Sequence, residues 1–382
     1  MIFDKALPIL LTIGVFALII VFHEFGHFVI AKLSRIPVYE FSLGFGRPVL
    51  LSFKWRGTRY CLRPFPLGGF VHIAGMEPDE DVPHGFDKKP LLARLGVIAA
   101  GSGMNFVLAV IIFWVMGMAF GKIIGVTPKI GRVAPGKPAA AAGMHVGDEL
   151  LFAEPVPVGK RFPTVEATGT PERTMTLDQV VAVIHSRPDM PIRLVVKRGR
   201  GCLAFHVVPR SERREEPKQG RNGKIRMVSR TVGMIGVVFA LVTKPQGFGE
   251  SVVGGFVDVY HTTRLMITGL VMMVTGKLPP AVAGPVGITG IMADAARVGW
   301  HDFLMWSALI SVNVGFINLL PVPALDGSRL VFIIIGGIRR RPIDRRKEAI
   351  VHFVGFALLI LLLLLVTCQD ILRLIDKHVG PS

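Results

Sequence analysis

Apolar positions run through this chain in four long blocks, Leu7–Leu33, Leu91–Phe120, Phe303–Ile338 and Ile350–Leu372. Each reaches the roughly 20 residues that a helix needs to cross a hydrocarbon core. The third is broken near Pro321 and Pro323, and the fourth is the most apolar. The first is too long for the apolar part of a cleaved leader, and no small-residue cleavage site follows it. Ser251–Leu278 is mixed, because Asp258, His261 and Arg264 interrupt its apolar residues. That pattern predicts an amphipathic helix lying on the membrane surface, with a fifth span as the alternative. The expected fold is a polytopic α-helical membrane protein with four transmembrane helices.

The segments between the blocks carry β patterns. Pro48–Gly57 (PVLLSFKWRG) and Thr58–Phe65 (TRYCLRPF) read as strands around a turn at Arg56-Gly57-Thr58. This membrane-associated β-hairpin, within 37–76, is apolar enough to dip into the bilayer, and its edge has backbone groups that could accept a substrate strand. Further on, Ile130–Leu151 reads as strand, small-residue helix and a turn into a strand. Thr176–His185 predicts a short helix with Val180, Val181 and Ile184 on one side, and Arg193–Val208 gives two strands around Gly199–Gly201. Together these resemble an inserted α+β PDZ-like domain at 122–212, with a proline-rich insertion at Phe152–Pro171. Ser211–Arg230 is highly charged and reads as a flexible linker. The domain order is then membrane core at 1–121, the PDZ-like domain, linker and surface helices at 213–300, and the rest of the membrane core at 301–382.

Composition agrees with a membrane protein: of 382 residues, 51% are hydrophobic and 19% charged. The formal net charge of +17 does not require nucleic acid as a partner, because basic residues beside membrane spans contact anionic lipid headgroups. Arg339–Lys347 (RRRPIDRRK) joins the last two spans and is expected to be cytoplasmic, as is the connection from Lys32 to Arg94. Both termini and the PDZ-like domain are then extracytoplasmic. Cys61, Cys202 and Cys368 lie far apart with no CxxC spacing, so neither a disulfide framework nor a thiolate metal site is indicated.

The chemistry stands out against this apolar background. His23-Glu24-Phe25-Gly26-His27 places two imidazoles on one helix face and a carboxylate beside the first. A charge at membrane depth costs at least ~2.5 kcal/mol, so chance occurrence is a poor account of the group. Histidines at this spacing bind one zinc ion, and the glutamate then serves as general base. Catalytic zinc takes three protein ligands, and Asp326, in NLLPVPALDGSRL at Asn318–Leu330, is the candidate third. Asp326-Gly327 alone would read as a turn. His72, His261, His301 and His352 have no partner at helical ligand spacing and are expected to be interfacial or structural.

These motifs resemble the site-2 protease family of intramembrane zinc metalloproteases, in its bacterial branch with a single PDZ domain. HEFGH matches the family's HExxH, and Leu325-Asp326-Gly327 its LDG motif. Pro66–Met76 (PLGGFVHIAGM) resembles the loop after the first span, and Gly284–Ile288 (GPVGI) the segment before the third. Ser328 stands where the family often has a second glycine. The resemblance implies Zn2+ on His23, His27 and Asp326, Glu24 as catalytic base, and Asn313 and Asn318 near the substrate. It implies a multi-pass protein of the bacterial inner membrane. The implied substrates are single-span membrane proteins, pre-trimmed by a site-1 protease, among them anti-sigma factors and remnant signal peptides. Two other readings stay open here: a non-catalytic zinc-containing PDZ scaffold, and a metal transporter.

Overall fold

The structure is a computed structural model describing residues 2–77, 80, 82–157, 163–219, 225–278, 284–341 and 343–379. The chain divides into two compact units.

The first unit takes residues 1–120, 246–270 and 281–382. It begins with α1 (Ile2–Leu33), then β1 (Val38–Phe45), β2 (Leu51–Trp55), β3 (Thr58–Leu62), β4 (Phe65–Ile73) and α2 (Leu91–Phe120). The second unit takes residues 121–245 and 271–280. It holds β5 (Lys122–Val133), α3 (Pro138–Ala141), β6 (Glu149–Pro155), β7 (Val165–Thr168), α4 (Leu177–His185), β8 (Ile192–Arg198), β9 (Gly201–Val207), β10 (Arg210–Gln219), β11 (Ile225–Met234) and β12 (Val237–Lys244). α5 (Phe248–Val274) leads back to the first unit, which closes with α6 (Pro285–Val298), α7 (Trp300–Leu319), α8 (Asp326–Ile338) and α9 (Arg345–Val379).

Among the described residues, four helices are long and apolar enough to cross a membrane: Ala6–Leu33, Leu91–Phe120, Trp300–Leu319 and Arg346–Leu372. The protein is multi-pass. Helix packing in lipid favours small residues that let backbones approach, as Gly26 and Gly315 do here. A Cβ on Gly26 of α1 would sit 2.1 Å from the Ala100 carbonyl of α2. One on Gly315 of α7 would sit 3.1 Å from the Ser102 carbonyl of α2. Ser311 of α7 also donates to the Asn105 carbonyl at 2.8 Å.

The third span differs from the sequence expectation. Phe303–Ile338 is not one broken span, because α7 ends at Leu319 and α8 starts at Asp326. Proline cannot donate, and it drives its predecessor out of the helical region; Leu320 is accordingly extended (φ −70°, ψ 145°). The 13 residues of α8 span about 20 Å at ~1.5 Å per residue, short of the ~30 Å core. Ser251–Leu278 falls largely within α5, which is not among the four candidate spans.

The expected hairpin is present. β2 and β3 join through Arg56 and Gly57, whose φ values of 46° and 80° are both positive, as a two-residue type I′ turn requires. The hairpin belongs to a four-stranded sheet of order β2-β3-β1-β4. Leu51, Phe53 and Trp55 of edge strand β2 are exposed.

The second unit is built on a sheet of order β12-β5-β6-β8-β9-β7. Ile130, Leu150, Val180, Ile192, Leu194, Val196 and Phe205 form its core. α4 is closed by a capping box between Thr176 and Gln179, an arrangement that satisfies otherwise orphaned helix-end donors. Burial alone would raise the Asp148 carboxyl, but the Arg198 fork and the His145 amide outweigh it and hold it below the usual carboxylate range. Part of the proline-rich insertion, 158–162, lies outside the described residues.

Ser211–Arg230 is not the expected linker. β10 and β11 pair antiparallel from Arg210↔Met234 to Gln219↔Ile225. The unit therefore does not close near residue 212; β12 returns to pair with β5, from Val237↔Val133 to Lys244↔Lys122. Charged side chains leave the backbone ladder intact, and Val232 and Ile235 are anchored by burial.

Candidate metal centre

α1 presents His23 and His27 toward α2 and α8. Their rings meet edge to face, with centroids 4.8 Å apart. Three atoms converge: His23 Nε2 lies 3.0 Å from Asp326 Oδ2, His27 Nε2 3.1 Å from the same oxygen, and the two nitrogens are 3.2 Å apart. Ligands held tetrahedrally at 2.0–2.1 Å from a metal are separated by roughly 3.3 Å, so the donor set fits one small cation. These side chains form a group that could hold a metal ion.

The surroundings fix the ring orientations. His27 Nδ1 donates to the Val97 carbonyl at 2.8 Å, so in the neutral ring the lone pair that a metal would take is on Nε2. The Asn105 amide of α2, fully buried, lies 3.3 Å from His23 Nδ1. An imidazole that binds metal through Nε2 carries its proton on Nδ1 and needs an acceptor there. A half-turn of the Asn105 amide supplies Oδ1, which otherwise has no partner among the described residues. Gly101 makes room for both rings: a Cβ there would sit 2.3 Å from His27 Nε2 and 2.8 Å from His23 Cε1. Asn105, Gly101 and the Val97 carbonyl were missed in the sequence; an asparagine within an apolar span was the available signal.

Asp326 is placed by the turn that ends α7. A Cβ on Gly327 would meet the Leu320 carbonyl at 2.1 Å, so the chain folds back as tightly as glycine allows. His352 of α9 accepts from the Ala324 amide at 3.2 Å. Gly355 of α9 leaves space for Pro323. His352 is thus structural, while His301 lies 3.4 Å from Asp302 and His261 against Tyr260. His72 lies 2.9 Å from Glu80 and 3.8 Å from Glu77, and Glu77 is largely exposed, the character of an ordinary surface ion pair.

Glu24 projects from α1 toward β4. The Val71 amide faces its carboxylate, and a Cβ on Gly69 would sit 3.4 Å from its Cγ. Among the described residues β4 pairs only with β1. The sheet edge nearest the glutamate is therefore β4, not the β2–β3 hairpin that the sequence suggested. Asn313 and Asn318 lie half-buried on α7.

A helix-borne His-Glu-x-x-His motif whose imidazoles meet a carboxylate from a remote helix, set among membrane spans, defines a membrane metallopeptidase. The profile of peptidase family M50 matches residues 11–362, and the chain belongs to that family. It is 30% identical to the zinc metalloprotease RasP of Geobacillus kaustophilus, covering 94% of this chain and 96% of that protein. It is 28% identical to the regulator of sigma-W protease RasP of Bacillus subtilis, covering 94% and 97%.

Proposed function

We propose that this chain is an intramembrane zinc metalloprotease that cuts the membrane spans of single-span proteins, with His23, His27 and Asp326 as zinc ligands and Glu24 as general base. The carrying observation is the convergence of His23 Nε2, His27 Nε2 and Asp326 Oδ2 within 3.2 Å, with Glu24 on the same helix. Zinc supplies Lewis acidity, polarising the scissile carbonyl and acidifying water toward neutral pH. Glu24 takes the proton of the attacking water and returns it to the leaving amine.

A helical substrate hides its amides in its own hydrogen bonds, so it must unwind before cleavage. The open edge of β4 beside Glu24 offers backbone partners to the extended segment. Asn313 and Asn318 hold further freed groups through their amides. The second unit acts as a PDZ-like size filter, admitting substrates already trimmed by a site-1 protease. By the positive-inside rule this unit and both termini are extracytoplasmic in the bacterial inner membrane, in contact with lipid, and α5 lies at the surface. The relative named regulator of sigma-W protease supports anti-sigma factors as a substrate class.

Glu24→Gln is expected to retain zinc and fold while abolishing cleavage of a model membrane substrate; full activity would remove Glu24 from its role. Asp326→Ala is expected to lower zinc content and activity together.

A further inference from the structure

Apart from the metal centre, the membrane unit contains a cavity of about 620 Å³ between the start of α2, α8 and the start of α9. Its polar wall is cationic: Lys88, Arg94, Arg329, Arg340 and Arg341 face Asp87 and Glu348, an excess of three positive charges. Among the described residues, Arg329, Arg340 and Arg341 have no carboxylate within ion-pair distance. The opposite wall is apolar, with Phe86, Leu91, Ile98, Phe332 and Ile333. Arg94 lies over the Phe86 ring, 5.3 Å from its centroid.

Like charges gathered around one cavity repel, and an anion entering it relieves that cost. Guanidinium forks match phosphate oxygens better than any other side chain. The volume exceeds what a lone phosphate fills and falls within the range of small-molecule sites. The apolar wall then receives the carbon chain of an ester. Arg340 and Arg341 stand between the ends of α8 and α9, the height at which basic pockets between membrane helices take anionic headgroups. We propose that this cavity is a binding site for a phosphate ester anion, supplied by an anionic phospholipid headgroup. Arg329 lies one turn after Asp326 on α8, so an occupant also braces the helix that carries the acidic member of the metal group.

The test uses the full chain in detergent and no substrate, so its result is independent of peptidase activity. Binding of dioctanoyl phosphatidylglycerol, dioctanoyl phosphatidylcholine and inorganic phosphate is measured by thermophoresis. Phosphatidylglycerol is expected to saturate, phosphatidylcholine not to bind, and Arg329→Gln/Arg341→Gln to weaken phosphatidylglycerol ~30-fold. Lys54→Gln/Arg59→Gln, which removes two charges from the β2–β3 hairpin instead, is expected to leave affinity unchanged. Inorganic phosphate displacing the lipid with the same arginine dependence would confirm the phosphate chemistry and assign it to a soluble source. Equal lipid affinity in wild type and Arg329→Gln/Arg341→Gln, or an equal loss in the hairpin variant, overturns the site. Should the double variant fail to fold, exposed Arg341→Gln alone is read the same way.

Discussion

Gly101→Ala is the smallest change that should disable the metal centre. The added Cβ would lie 2.3 Å from His27 Nε2 and 2.6 Å from its Cε1. Reaching an ordinary 3.4 Å contact from 2.3 Å requires a shift of about 1.1 Å. The ring has no room to give, because its other nitrogen is tied to the Val97 carbonyl at 2.8 Å. Metal–ligand distances tolerate roughly 0.2 Å, and a displacement of ~1 Å in a catalytic constellation costs on the order of 100-fold, or ~2.7 kcal/mol in barrier. Helix propensity works in the opposite direction, since alanine favours α2 by up to ~1 kcal/mol, so a loss cannot come from a weakened helix. Gly103→Ala is the matched control: it lies on the same helix and its Cβ would meet nothing within 4 Å. The assay is zinc per chain by mass spectrometry together with cleavage of a model membrane substrate. Gly101→Ala is expected to lose both while Gly103→Ala keeps both. A Gly101→Ala protein with full zinc and full activity would refute the packing argument.

Asn105→Ala removes the group facing His23 Nδ1 and should weaken zinc by roughly 10- to 100-fold, read as faster metal loss to a chelator. In the second unit, Asp148 is buried and held by Arg198 at 2.7 Å through both oxygens. Its folded pKa is lowered, so the pair's stabilisation is complete above the unfolded value of ~3.9 and fades as pH falls through the lowered one. Asp148→Asn should flatten that acid dependence and speed hydrogen exchange in β8 by about 30-fold, as loss of ~2 kcal/mol implies; unchanged exchange would show that Arg198 contributes little there.

What could be read in advance was local. His23 and His27 follow from the 3.6-residue helical repeat, and Asp326 from the expense of a carboxylate in apolar surroundings. Thr176–His185 was legible because Val180, Val181 and Ile184 recur at helical spacing, and the structure has α4 there. Long-range pairing was hidden. Nothing near Ala240 announces that its carbonyl accepts from Thr127, 113 positions earlier, so the second unit seemed to close too soon. The charged run at β10 misled because side-chain composition reports solvation, while the ladder is made of backbone. The apolar stretch past Pro323 masked the change from α7 to α8, since hydropathy does not register a change of direction.

The group of His23, His27 and Asp326 is therefore positioned by what surrounds it. His23 and Asp326 are 303 positions apart, and nothing in either motif brings them together. Gly26 and Gly101 bring α2 against α1, Gly315 brings α7 against α2, and Gly327 and Gly355 admit the turn between α7 and α8. Without bulk water between helices in lipid, such close approach has to supply the association that hydrophobic burial supplies elsewhere. The same turn leaves backbone groups off the helical ladder, which among membrane helices is tolerable only where protein or a wet cavity satisfies them; His352 does so for Ala324. One break thus does two things: it brings Asp326 to the two histidines, and it frees the Ala324 amide, whose hydrogen bond His352 accepts.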